Sequence, residues 1–212
     1  MEKQISFQPV SAKHRDSYGG TLRRSRKGRG VRPLACKLSL HVVFKINRSR
    51  LKHRSLRSNH GFKLIHAVVQ RYANMFFVKV EQISIQHDHL HLLIRTSTRS
   101  SFHFFFRVVA GQIAQEFLKR GLSFEKRKRR PKPRVTGTPH VTSKDPGTSE
   151  DFWKHRPFSR VVRGYRACKI VRDYIQLNEK EVLGVIRYSK RRLRGLSSSD
   201  WRLLWELNWK SI

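Results

Sequence analysis

The segment QHDHLHLLI, residues 86–94, sets histidines at three alternate positions. On a strand alternate side chains share a face, so His87, His89, His91 and Leu93 point one way and Asp88, Leu90, Leu92 and Ile94 the other. Leu90, Leu92 and Ile94 make an ordinary core-facing row, and the histidines take the opposite face. Same-face neighbours on a strand lie about 6.5–7 Å apart. Two imidazoles at that spacing can converge on one metal ion, and neutral histidine is a common ligand of divalent metals. The same row could equally be a solvent-exposed or base-stacking strip, because a chain with 11 histidines clusters some of them by chance. His87 falls at the expected turn and can be a bystander.

A second feature is RDYIQLNEKE, residues 172–181. Ala167, Val171, Tyr174 and Asn178 follow one another at intervals of four, three and four, so on a helix they share a face. The stripe begins apolar and ends in a phenol and an amide, which suits a site at the rim of a sheet. The plain alternative is a buried tyrosine whose hydroxyl is hydrogen-bonded.

The elements that must position these groups can be read from periodicity. LSLHVVFKI (38–46) is β-branched and aromatic and reads as a strand. NHGFKLIHAVVQRYANMF (59–76) carries apolar residues at 62, 65, 68, 69, 72 and 76, a helix with one buried face. FVKVEQISIQ and HLHLLIR read as the second and third strands, with the turn near 86–88. SFHFFFRVVAGQIAQEFLKRG is a long helix stopped by Gly121, FWKHRPFSRVV (152–162) a fourth strand, and YRACKIVRDYIQLNEKE a helix after Gly164. Strand, helix, strand, strand, helix, strand is the ferredoxin-like (RRM-like) plan, an α+β fold with an antiparallel sheet and two helices on one face. That plan alone implies no function.

The division expected is a flexible basic arm over 1–33, one domain over 34–182, and an amphipathic helical tail over 183–212 whose tryptophans dock on the body or on a partner. Within the domain, 123–150 reads as an exposed basic loop, because EKRKRRPKPR is a charge run with two prolines and TGTPHVTSKDPGTSE is turn-rich.

Lysine and arginine number 47 against 14 acidic residues, a formal net charge of +33. Such an imbalance calls for an anionic partner, most commonly nucleic acid. Neutralising phosphates gives affinity without sequence choice, so charge alone fits a ribosomal or packaging protein as well as an enzyme. The arm, with Arg23, Arg24, Arg26, Lys27 and Arg29, and the run Lys126, Arg127, Lys128, Arg129 and Arg130 are the expected phosphate contacts. No stretch of about 18 apolar residues suggests a membrane span, and the first residues lack the apolar region of a secretory signal. Cys36 and Cys168 lack metal-type spacing and read as free thiols in a reducing cytoplasm.

The HLH triplet of QHDHLHLLI resembles the His-hydrophobic-His motif of the HUH endonucleases, and DHLHLLI is similar to the version in single-tyrosine, IS200-like transposases. RDYIQLNEKE resembles the catalytic helix of the same proteins, particularly the REP-associated tyrosine transposase branch, in which Asn or Gln stands four residues after the tyrosine. FWKHRPFSRVVR and LHVVFKI, with His41, are also similar, so the resemblance spans about residues 20–182. This chain departs from the branch in having Glu179 rather than proline after Asn178, and His87 where proline is common.

The resemblance implies an enzyme that cuts and rejoins single-stranded DNA. It implies Mg2+ or Mn2+ held by His89 and His91, with Asn178 as the third, oxygen ligand. Tyr174 then attacks phosphorus to give a 5′-phosphotyrosine and a free 3′-hydroxyl. A phenol is a weak nucleophile near neutral pH, with a reference pKa of about 10, so the metal and the basic surroundings would have to favour the phenolate. The implied partner is single-stranded or hairpin DNA, repetitive palindromic elements above all, bound by a monomer or homodimer at the bacterial nucleoid. Two other readings stay open at this point. One is a non-catalytic nucleic-acid-binding protein that uses an RRM-like sheet for stacking. The other is a metal-dependent nuclease that uses water, with Tyr174 only structural.

Overall fold

The computed structural model describes residues 16–20, 31–124 and 151–206. Its elements in chain order are β1 (Ser17–Tyr18), β2 (Ser39–Lys45), α1 (Asn59–Met75), β3 (Lys79–Ile85), β4 (His89–Arg95), α2 (Arg99–Lys119), β5 (Phe158–Val162), α3 (Tyr165–Val182) and α4 (Ser198–Trp205). The strands form one antiparallel sheet in the order β1-β5-β2-β4-β3. Apart from β1 this is the ferredoxin-like plan, and the fold is α+β.

The two periodicities decide what each face does. Leu40, Val42 and Phe44 of β2 alternate into the same core as Leu90, Leu92 and Ile94 of β4. That core is closed by Leu64, Ile65 and Val69 of α1 and by Phe102, Phe105, Val109, Ile113 and Phe117 of α2. Both helices start on a hydroxyl cap: Ser58 accepts from the Gly61 amide and Thr98 from the Ser101 amide. The opposite face of the sheet is left for α3, whose Ala167, Cys168, Val171, Tyr174 and Ile175 pack on Leu93 and Val162. The sheet therefore sits between two helices and a third. The row His89, His91, Leu93 lies on the α3 side.

Gly61 is buried near the start of α1, where a Cβ would stand 2.6 Å from the Leu56 carbonyl oxygen and 3.1 Å from the Phe117 ring. Glycine to alanine inside a helix ordinarily stabilises by about 1 kcal/mol. Here the sign should reverse, and Gly61→Ala should cost about 1–3 kcal/mol through overpacking. Urea unfolding followed by circular dichroism reads the sign directly.

Three expectations about the chain are corrected. The fourth strand begins at Phe158, not at 152. Phe152 and Trp153 are instead drawn into the core, packing on Phe117 and Phe44, and the Trp153 indole donates to the Ala110 carbonyl. Second, the basic arm is not free throughout. Ser17 and Tyr18 pair with Arg160 and Ser159 of β5 as an edge strand. Arg32 lies over the Tyr18 and Phe106 rings and donates to Ser159 and the Pro157 carbonyl. Third, the loop expected from 123 is still tied down at its start, because Ser123 bridges Leu51 and the Phe124 amide donates to the Arg50 carbonyl. Residues 125–150 lie outside the described residues.

Of the expected tail, the segment after α3 folds back on it. Leu177 of α3, Ile186 and Leu204 of α4 form a small separate core. Among the described residues no helix is long and apolar enough to cross a membrane.

Candidate functional site

Strand register brings the polar residues of the α3-side face together. β2 and β4 pair with Val43 opposite His91 and His41 opposite Leu93, so His41 and His91 are diagonal neighbours on one face. His41 Nε2 lies 3.1 Å from His91 Nδ1, and the rings stack with centroids 5.3 Å apart. His89 stands edge-on to His91 at 4.7 Å. Above them α3 lays Tyr174 edge-on against His91 at 5.7 Å and against His41 at 6.4 Å. The phenol expected from the helix stripe thus meets the histidine row expected from the strand.

The nitrogens of the two HLH histidines are unequally engaged. His89 Nδ1 is 2.6 Å from Asp88 Oδ1, which orients the ring and leaves Nε2 as its open nitrogen. Burial would raise the Asp88 carboxyl, but the hydrogen bond and charge of His89, with Lys45 and Arg48, outweigh it and hold it below the usual range. His91 is 4% exposed and its Nε2 has no hydrogen-bond partner among the described residues. A buried polar nitrogen without a partner is costly, and such an orphan calls for a ligand. For that Nε2 to offer a lone pair, Nδ1 must carry the proton and donate it to His41 Nε2.

Burial sets the charge of this cluster. It pushes His41 down to about 4, with Arg160 adding to the effect. It pushes His91 well below the ordinary histidine value, helped by the charges of His41, His89 and Arg192. Both rings are neutral at pH 7, the form that binds metals.

The sign of the linked stability follows. Histidine titrates near 6.5 when unfolded and His41 near 4 when folded, so between those values the unfolded chain holds more protons. Stability is full above about pH 6.5 and falls as the pH drops toward 4, by roughly 3 kcal/mol for His41. Urea midpoints of the chelator-treated protein at pH 7 and pH 4.5 should show this loss, and His41→Gln should lose less over the same interval. Equal losses in the two proteins would remove His41 from the account.

Asn178 is buried one turn beyond Tyr174, and its amide nitrogen donates to the Tyr174 carbonyl at 2.9 Å. Its backbone carbonyl accepts from Gln86 at 2.8 Å. Its side-chain oxygen accepts from Arg192, so this oxygen is not open as the expected third ligand while Arg192 holds it. Among the described residues no group of three or more His, Cys, Asp or Glu side chains is placed to hold a metal. The available donor set is the two imidazoles, with the Asn178 oxygen conditional on Arg192. Glu179, standing where the branch has proline, instead accepts from Ser84 and pairs with Arg57 at 2.7 Å.

Arg192 was not expected from sequence. It sits in the segment after α3 with φ +54°, a conformation disfavoured for any residue with a Cβ. It donates to both Glu181 oxygens and to Asn178, and its guanidinium lies 5.2 Å from the Tyr174 and Tyr188 ring centroids. Its contacts to Glu181, Asn178 and Tyr174 reach back 11 to 18 residues in sequence, so no local pattern announces them. His41 was legible by the alternation that exposed His89 and His91, but one histidine on a strand gives too weak a signal. The expected phosphate contacts Arg23, Arg24, Arg26, Lys27, Arg29, Lys126, Arg127, Lys128, Arg129 and Arg130 lie outside the described residues.

Residues 35–132 match the family described as Transposase IS200 like. The match takes in His41, His89 and His91 and stops before α3. No curated protein matches the sequence. Among solved structures, one described as a REP-associated tyrosine transposase bound to a REP hairpin is 12% identical, with 76% of this chain and 77% of that chain covered and a TM-score of 0.49. A "putative transposase" from Deinococcus radiodurans R1 is 14% identical over 73% of this chain and 98% of that chain, with a TM-score of 0.39.

Proposed function

We propose that this chain, whose residues 35–132 match the IS200-like transposase family, cuts and rejoins single-stranded DNA through Tyr174, with Mg2+ or Mn2+ held by His89 and His91. One observation carries the reading: the Tyr174 ring lies 5.7 Å from His91, whose Nε2 has no partner among the described residues. A structural tyrosine would not need an unsatisfied imidazole beneath it.

The chemistry balances without an external energy source. The Tyr174 oxygen attacks phosphorus and loses its proton. The bond to the 3′ oxygen breaks, and that oxygen leaves as a 3′-hydroxyl. A 5′-phosphotyrosine remains, which stores the phosphodiester bond energy. A 3′-hydroxyl from another strand then attacks the same phosphorus and releases the tyrosine. When bound, the divalent metal polarises the scissile phosphate and neutralises charge on its oxygens. Asp88 and His41 orient the two imidazoles through their other ring nitrogens, the usual task of groups behind metal ligands. Arg192 places a fixed positive charge beside the phenol and holds Asn178. Asn178 supplies the third, oxygen ligand when that hydrogen bond is given up.

The REP-associated branch is the proposed affiliation, and hairpin DNA from repetitive palindromes the proposed target, handled at the nucleoid in the bacterial cytoplasm by a monomer or homodimer. The test is a covalent adduct. The full chain is incubated with hairpin DNA carrying single-stranded flanks and with Mn2+, and resolved on a denaturing gel. A slowed protein–DNA species should form, and digestion should map the nucleotide to the peptide containing Tyr174. Cleavage without any adduct would favour attack by water, and neither cleavage nor adduct would favour a binding protein.

A further inference from the structure

A cavity of about 690 Å³ opens beside Tyr174, walled by β5, α3, the segment 191–194 and α4. We propose that it is a nucleotide subsite, which takes one unstacked nucleotide of the DNA strand next to the phosphate that Tyr174 attacks. The proposal rests on the reading of Tyr174 as nucleophile and goes beyond it, because it assigns a strand-reading role to the C-terminal segment.

The size is that of a small-molecule site, which typically spans about 300–1,000 Å³. Besides Tyr174 and His41 it is lined by the rings of Phe158 from β5 and Trp201 from α4. Trp201 stands outside the apolar cluster that anchors α4. Leu204, not Trp201, anchors α4 to the body, and Trp201 keeps 39% of its surface exposed. Its helix is nevertheless fixed at its start by a capping box in which Ser197 and Asp200 exchange hydrogen bonds. An indole held at the wall of a cavity in this way is a stacking platform, and every base offers a π-face to it.

The charge complements a phosphodiester. Arg160, Arg191 and Arg194 line the same cavity, all three exposed. None of them has an acidic partner among the described residues. Among the described lining residues the one carboxylate is Asp173, which lies in the field of Lys169 and Arg172, and their positive charges offset it. Cationic groups with aromatic platforms are what single-stranded nucleic acid requires. An acidic peptide would use the arginines but would not need the platforms, which favours the nucleotide.

Abasic scanning tests this. Full-length Tyr174→Phe protein, which cannot trap the strand, is titrated by fluorescence anisotropy with hairpin DNA whose single-stranded flank carries one abasic site at each position in turn. One position beside the scissile phosphate should weaken binding about tenfold, the loss expected when a base leaves its aromatic platform. Trp201→Ala should weaken the intact strand by a similar factor and make that abasic position silent, while Trp201→Phe should restore most of the affinity. Arg191→Ala and Arg194→Ala should each lower the slope of log K against log salt by about one. The subsite is overturned if no abasic position matters, or if the Trp201→Ala and abasic losses simply add. Should the abasic pattern appear while wild-type protein forms no adduct, the reading of Tyr174 as nucleophile fails and the cavity remains a nucleotide-binding site. An adduct with a flat abasic scan does the reverse.

Discussion

Tyr174→Phe is expected to abolish the covalent protein–DNA species and to reduce strand cleavage at least about 1,000-fold, the scale of removing a nucleophile. DNA affinity should stay within about twofold. The substitution deletes one oxygen and keeps the ring. That ring packs with Val171 and Ala167 against Leu93, Val162 and Ile175 and stands edge-on to His91 and His41, and none of these contacts involves the hydroxyl. The guanidinium of Arg192, over the ring face, is kept as well, because its attraction is to the π-system. Helix α3 is held by other groups, among them the Gln86 donation to the Asn178 carbonyl. A loss of activity would therefore report chemistry and not unfolding. The discriminating result is the adduct itself. If Tyr174→Phe still forms it, another side chain is the nucleophile. If cleavage persists with no adduct in either protein, water is the nucleophile and the tyrosine only packs.

What could be read from sequence divides along physical lines. The alternation of HLHLLI was legible because a half-buried strand has period two, and the structure places Leu90, Leu92 and Ile94 in one core and His91 and Leu93 on the other face. The stripe of α3 was legible because three- and four-residue steps define a helix face whatever it packs against. The fourth strand was misjudged because FWKHRPFSRVV is apolar at both ends. Only the structure shows that its first aromatics serve the core of α2 and β2. β1 was hidden for a different reason. Two residues, Ser17 and Tyr18, have no hydrophobic pattern, and their strand exists through pairing with β5. Strand propensity of this kind belongs to context more than to the residues. Arg192 was hidden most deeply. Among 47 lysines and arginines, nothing in composition or spacing sets apart the one that reaches Tyr174, Asn178 and Glu181.

Removing His89 should lower Mn2+-dependent cleavage about 100- to 10,000-fold, while costing less than about 1 kcal/mol of stability. The first figure follows from losing metal-supplied charge stabilisation of several kcal/mol. The second follows from exposure. The His89 side chain is 29% exposed and contacts its neighbour Asp88 and an edge of His91, so His89→Ala opens no enclosed cavity. His91→Ala is a poorer test, because it would also strip His41 of its hydrogen bond within the buried face. Chelation gives the independent check. If His89 acts by holding the metal, stripping the metal from wild type and replacing His89 remove the same contribution, and the two losses should not add. Raised Mn2+ should then recover part of the variant's activity, since His91 and Asn178 are still present. Additive losses with no recovery at high Mn2+ would mean that His89 serves the reaction by some route other than a metal, and the pairing of His89 with His91 as ligands would have to be abandoned.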